Sequence, residues 1–86
     1  MAGGLKIMVV DDDSNICELL RLYLEKEGFE AIIAPNGAKA LEMFDTEKPD
    51  LMLLDVMMPQ LDGIATMTRL REKSNVPVIL LTAKSE

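Results

Sequence analysis

The sequence predicts an α/β fold, an open parallel sheet with helices on both faces, and three observations carry that prediction. Short apolar runs, LKIMVV at 5–10, FEAIIA at 29–34, LMLL at 51–54 and VPVILL at 76–81, alternate with segments whose apolar residues recur at the helical period. Two of these runs end abruptly on carboxylates, Asp11-Asp12-Asp13 and Asp55. The segments between runs are of a size suited to right-handed crossovers, which gives the order β-α-β-α-β-α-β.

The first run, Leu5 to Val10, becomes strand one. Asp13 or Ser14 can accept from free backbone N–H groups and start a helix whose Ile16, Leu19, Leu20, Tyr23 and Leu24 form the face expected to pack on the sheet. Gly28 fits the end of that helix, near Glu27, because glycine accepts a left-handed conformation. Phe29 to Ala34 is the second strand, closed by Pro35-Asn36-Gly37. Asn36 can cap a second helix over Gly37 to Thr46, with Ala38, Leu41 and Phe44 in its stripe and Ala40 and Met43 nearby. The third strand begins at Leu51 after Pro49-Asp50; four large aliphatic residues are too few for a helix and read as a strand buried on both faces. Asp62 can cap a third helix with Ile64, Met67 and Leu70 on one face, ended by Asn75 and Pro77. Val76 to Leu81 is the fourth strand. Met1 to Gly4 reads as a flexible start or an expression remnant without function, leaving residues 5–86 as one unit.

The totals bound the function. Eighty-six residues with 49% hydrophobic composition make one small domain with a real core, and a net charge of -6 disfavours nucleic-acid binding, which depends on Lys and Arg neutralising phosphates. Cys17 has no second cysteine to pair with and reads as a small core or boundary residue in a reduced compartment. No apolar run approaches the roughly 18 residues of a membrane span, and MAGGLK lacks the features of a signal peptide, so a soluble cytoplasmic protein is expected.

Parallel strands point one way, so Asp11 to Asp13 after strand one and Asp55 after strand three arrive at the same sheet edge, where α/β folds bind ligands. If the two strands are neighbours, three or four carboxylates converge. Their repulsion is relieved by protons or by a cation, and an all-oxygen set without histidine suits a hard divalent ion such as Mg²⁺. The bland alternative, helix capping by negative charge, needs only one aspartate. Asp11-x-Asp13-x-Asn15 opens like a calcium-binding EF-hand loop but has Ile16 where that loop requires glycine and Leu22 where it requires glutamate. The same triplet partly resembles the DxD of haloacid-dehalogenase-like phosphatases, which would make Asp11 a nucleophile and Asp13 an acid/base, with Asn15 departing from that pattern.

VVDDD at Val9 to Asp13, LLDVMMPQLDG at Leu53 to Gly63 and LLTAK at Leu80 to Lys84 resemble, in joint order and spacing, three signatures of the receiver domain of two-component response regulators. The resemblance covers the chain after Gly4. It implies a flavodoxin-like sheet with strand order 2-1-3-4, which makes strands one and three neighbours. It also implies that Asp55 is the phosphoacceptor for a sensor histidine kinase, that Asp12, Asp55 and the backbone carbonyl of Met57 ligate Mg²⁺, and that Asp11 acts through water. Thr82 and the Ala83 N–H resemble the groups that contact the phosphoryl oxygens, while Met58-Pro59 and Asp62-Gly63 shape the loop and third helix. A regulatory module rather than a metabolic enzyme follows. The family pattern continues with a helix, a fifth strand and a last helix, and this sequence ends at Glu86, before the lysine and the aromatic switch residue of that strand. An unpaired strand-four edge with apolar Val78 to Leu81 is then expected to favour self-association, with an assembling fragment that does not accept phosphate as the alternative function.

Overall fold

Four strands, β1 (Lys6–Val10), β2 (Glu30–Ala34), β3 (Leu51–Asp55) and β4 (Val78–Leu81), form one parallel sheet in the order β2-β1-β3-β4. The computed structural model describes residues 4–56 and 63–81. Three helices connect the strands: α1 (Ser14–Lys26), α2 (Gly37–Glu47) and α3 (Gly63–Arg71). The flavodoxin-like arrangement expected from the sequence is therefore present, with strands one and three side by side. In register, Val10 lies between Ala34 of β2 and Leu54 of β3, and Asp55 lies beside Leu81 of β4.

The alternation of side chains along each strand divides the core in two. Met8, Val10, Met52 and Leu54 are fully buried under α2 and α3, where Ala40 and Leu70 meet them and Leu41, Met43, Phe44 and Met67 close the edges. Ile7 and Val9 face the other way and pack with Cys17 and Leu24 of α1, flanked by Leu20, Leu51 and Leu53. Burial on both faces explains why β1 and β3 read as unbroken apolar runs rather than alternating ones.

The helix ends follow local chemistry. Asp13 is the N-cap of α1, its carboxylate accepting from the backbone N–H of Asn15 at 2.9 Å and Ile16 at 3.3 Å. Gly28 follows the C-cap with φ of +93°, the left-handed conformation expected of it. Asn36 caps α2 through the Lys39 N–H at 2.8 Å. On the solvent side of α1, Arg21 bridges Glu18 and Glu25.

Four sequence expectations are corrected, the first on α2, where Ala38 of the expected stripe is exposed and Ala40 packs on the sheet in its place. The buried stripe of α1 runs through Cys17, Leu20 and Leu24, while Ile16, Leu19 and Tyr23 are 40%, 64% and 61% exposed. Apolar residues occupy more than half the circumference of this helix, so the period alone does not fix which part faces the sheet. On α3 the fully buried residues are Thr66 and Leu70, and Ile64 is exposed. That helix also ends at Arg71, before Asn75 and Pro77, because Lys73 and Ser74 turn back to hydrogen-bond the Leu70 carbonyl. The Asp62 cap expected for α3 lies outside the described residues.

Candidate functional site

The site stands at the C-terminal edge of β1 and β3, where the chain leaves two adjacent parallel strands in the same direction. Val10 and Leu54 are register partners, so the next residues, Asp11 and Asp55, emerge side by side. Both are largely buried, at 8% and 7% exposure, and Asp12 beside them is open to solvent. One carboxylate oxygen from each of Asp11, Asp12 and Asp55 lies within 4.8 Å of the other two. The predicted convergence therefore holds for three of the four aspartates. The fourth, Asp13, is spent on the α1 cap, which removes it from the pocket and also from the acid/base role that a dehalogenase-like mechanism would need.

Asp11 is fixed at three points. Its N–H donates to the Ala34 carbonyl on β2 at 3.2 Å, its carboxylate accepts from the Asp13 N–H at 2.9 Å, and its carbonyl accepts from the Cys17 thiol at 3.3 Å. Burial pushes the Asp11 pKa above the ordinary 3.8; the Asp13 N–H opposes this, and the negative charges of Asp55, Asp12 and Asp13 add to it. Burial likewise pushes Cys17 upward, with Asp11 and Asp13 adding to the effect, so the side chain is a thiol rather than a thiolate at neutral pH.

The raised Asp11 pKa carries a sign for stability. A carboxyl that binds its proton more tightly in the folded state contributes stability that is fully present below its unfolded pKa and is lost as pH rises through its folded pKa. Without metal, the urea midpoint of the wild type is therefore expected to fall relative to that of Asp11→Asn as pH is raised from the ordinary carboxylate value to neutral. Parallel midpoint curves for the two proteins would contradict this.

The other side of the pocket is set by α3. Gly63, its first residue, is buried against the end of β3, where a Cβ would stand 2.5 Å from the Asp55 carbonyl oxygen and 2.7 Å from the Val56 Cα. Leu81, paired with Asp55, accepts the Val56 N–H at 3.0 Å. Met57, Thr82 and Ala83, the remaining residues expected in the site, lie outside the described residues, as do Met58 and Pro59.

The donor set fits the expected ion. Three carboxylate oxygens, with no nitrogen or sulfur donor in the cluster among the described residues, match the preference of Mg²⁺ for hard oxygen ligands, and the negative charges that add to the effect of burial on Asp11 are ones a divalent cation would offset.

An open parallel sheet with an acidic pocket where its winding reverses defines a doubly wound α/β protein of the flavodoxin-like class. The chain matches the response regulator receiver domain family over residues 7–86, and it belongs to that family, the receivers of two-component signalling. It is 50% identical over 82 residues to the alkaline phosphatase synthesis transcriptional regulatory protein PhoP of Bacillus subtilis, covering 94% of this chain and 34% of that protein. It is 51% identical over 81 residues to the transcriptional regulatory protein CpxR homolog of Haemophilus influenzae, covering 94% and 35%. The chain thus spans about a third of the length of these relatives. Among solved structures, the BeF3-activated N-terminal receiver domain of Klebsiella pneumoniae RstA superposes with a TM-score of 0.88 at 38% identity, covering 94% of this chain and 69% of that one. The response regulator TrrA of Thermotoga maritima, in complex with Mg(2+)-BeF, gives 0.88 at 43% identity, covering 94% and 71%.

No helix among the described residues is long and apolar enough to cross a membrane. Sequence reasoning found the acids of the site but missed two groups that hold them. The sequence reads Cys17 as a core or boundary residue and Gly63 as shaping the loop and helix; the structure adds the Cys17 bond to the Asp11 carbonyl and the close approach of Gly63 to Asp55. Neither role has a signature in residue type or spacing.

Proposed function

We propose that this chain is the phosphoacceptor part of a response regulator, taking a phosphoryl group from a sensor histidine kinase onto Asp55. The observation that carries this reading is the grouping of Asp11, Asp12 and Asp55 within 4.8 Å at the strand ends of a receiver fold. One Asp55 oxygen bonds to phosphorus as the phosphorus–nitrogen bond of the kinase phosphohistidine breaks, and the imidazole keeps that electron pair and takes up a proton. Asp12, Asp55 and the Met57 carbonyl would hold Mg²⁺ directly, with Asp11 acting through water. Bound Mg²⁺ supplies the positive charge that lets an anionic carboxylate meet an anionic phosphoryl group. Support comes from TrrA, whose solved complex contains Mg(2+)-BeF. Thr82 and the Ala83 N–H are assigned to the phosphoryl oxygens.

In this reading the chain is a cytoplasmic regulatory module and not a metabolic enzyme. It occupies residues 5–86, does not itself bind nucleic acid, and has no membrane partner. Its net charge of -6 disfavours nucleic-acid binding, which depends on Lys and Arg neutralising phosphates. The test is incubation with acetyl phosphate and Mg²⁺, followed by intact-protein and peptide mass spectrometry. A single phosphoryl adduct on Asp55, absent in Asp55→Asn and after chelation, is expected. A folded sample that remains unmodified, or that is modified elsewhere, would overturn the assignment.

A specific feature favours a second property, self-association through β4. Among the described residues β4 is paired only with β3, and its Ile79 and Leu80 are 49% and 38% exposed. Such an edge offers both unpaired backbone groups and apolar surface to a second copy. Sedimentation of the 86-residue chain is expected to show dimers or larger species as concentration rises; a monomer throughout would end this proposal.

A further inference from the structure

We infer that Cys17 is a positioning residue for the acidic site, holding the Asp11–Asp12 turn through its thiol. The sequence alone gives Cys17 nothing beyond a place in the core, and it is indeed 4% exposed, packed with Ile7, Val9 and Leu24. Its sulfur, however, is directed back toward the end of β1 and donates to the Asp11 carbonyl at 3.3 Å. Among the described residues this is the one side-chain bond that joins the body of α1 to the residue carrying the buried acid.

The other two anchors of Asp11 do not join its turn to α1, and this bond does. The Asp11 N–H is tied to β2 through Ala34, which fixes where the strand ends. The Asp13 N–H is tied to the Asp11 carboxylate, which closes the turn on itself. The ring closed by the Asp13 N–H encloses the peptide between Asp11 and Asp12 and restricts it, but ties it to nothing outside the turn, and that peptide decides where the Asp12 carboxylate stands relative to those of Asp11 and Asp55. The thiol holds the oxygen of that peptide. Because α1 is itself capped by Asp13, the turn is clamped at two points on one helix, by Asp13 at its first turn and by Cys17 a turn later. A hydrogen bond from sulfur is weak, so its effect is expected in the placement of the ligands rather than in the survival of the fold.

This inference rests on the Mg²⁺ reading for its affinity consequence, and a measurement without metal separates the two. Cys17→Ser keeps a donor, Cys17→Val fills the site without one, and Cys17→Ala removes both volume and donor. Two quantities are read on the full chain: hydrogen exchange of the Asp13 amide in metal-free protein by NMR, and Mg²⁺ affinity by calorimetry. Cys17→Val and Cys17→Ala are expected to exchange the Asp13 amide faster and to bind Mg²⁺ about two- to threefold more weakly, the scale of one weak S–H···O contact. Cys17→Ser is expected to stay near wild type in both. If Cys17→Val matches wild type in both quantities, or if Cys17→Ser falls with it, the thiol acts only by packing and the inference is overturned. If the wild type itself binds no Mg²⁺, the metal reading fails, and the Asp13 exchange rates alone decide the positioning role.

Discussion

Met52→Ala is expected to cost about 2–5 kcal/mol of folding stability, the usual range for emptying a fully buried site of this size. Met52 lies at the second position of β3, register-matched to Met8 on one side and Val78 on the other, and its side chain is fully buried beneath α2 and α3. Its neighbour Leu53 points to the opposite face, where α1 leaves it only partly covered. Leu53→Ala should therefore cost clearly less, although leucine and methionine lose similar apolar volume. Met52→Leu, which conserves volume, should stay under about 1.5 kcal/mol. Small domains have about 5–15 kcal/mol in total, so Met52→Ala removes a large share of the whole. Urea midpoints at unchanged slope provide the measurement, and equal losses for Met52→Ala and Leu53→Ala would contradict the two-sided core.

The same asymmetry shows why some features were legible in the sequence and others were not. Strands β1 and β3 could be recognised because a parallel strand covered on both faces has to be apolar at every position, and breakers such as Pro49-Asp50 bound the run. Strand direction then brings Asp11, Asp12 and Asp55 to one edge of the sheet, since every parallel strand delivers its last residue there, and the receiver resemblance, which makes strands one and three neighbours, brings them together. Residue type could not divide the labour among Asp11, Asp12 and Asp13, which are chemically identical. The backbone decides it: at Asp13 the chain is extended just before the first helical turn, so that carboxylate meets the Asn15 and Ile16 N–H groups rather than the pocket. The face of α1 is not fixed by the sequence for a related reason. With Ile16, Cys17, Leu19, Leu20, Leu22, Tyr23 and Leu24 all apolar, several stripes satisfy the helical period, and only packing against Ile7 and Val9 selects the one through Cys17. Thr66 gave no signal, because a polar residue at a fully buried helical position looks like any solvent-facing threonine until the neighbours are known.

Gly63→Ala is expected to damage both stability and the pocket, and this double effect distinguishes it from other glycine substitutions. The new methyl would meet the Asp55 carbonyl oxygen at 2.5 Å, the Val56 Cα at 2.7 Å and the Asp55 carbonyl carbon at 2.9 Å. All three atoms are backbone, so no side-chain rotation relieves the contact, and either α3 moves out or the end of β3 moves away. Overpacking of this kind costs about 1–3 kcal/mol. Because the displaced segment carries Asp55, Mg²⁺ affinity should fall on the order of tenfold, as when groups supporting a metal ligand are disturbed. Gly28→Ala is the control. Gly28 has φ of +93° and nothing near its would-be Cβ, so alanine there meets backbone strain of about 1–2 kcal/mol at the far edge of the sheet and should leave Mg²⁺ binding unchanged. Calorimetric Mg²⁺ titration of the two variants, compared at temperatures where both remain folded, tests the distinction. Equal Mg²⁺ affinities in Gly63→Ala and wild type would show that α3 can withdraw without moving Asp55, and that the close contact at Gly63 serves packing alone.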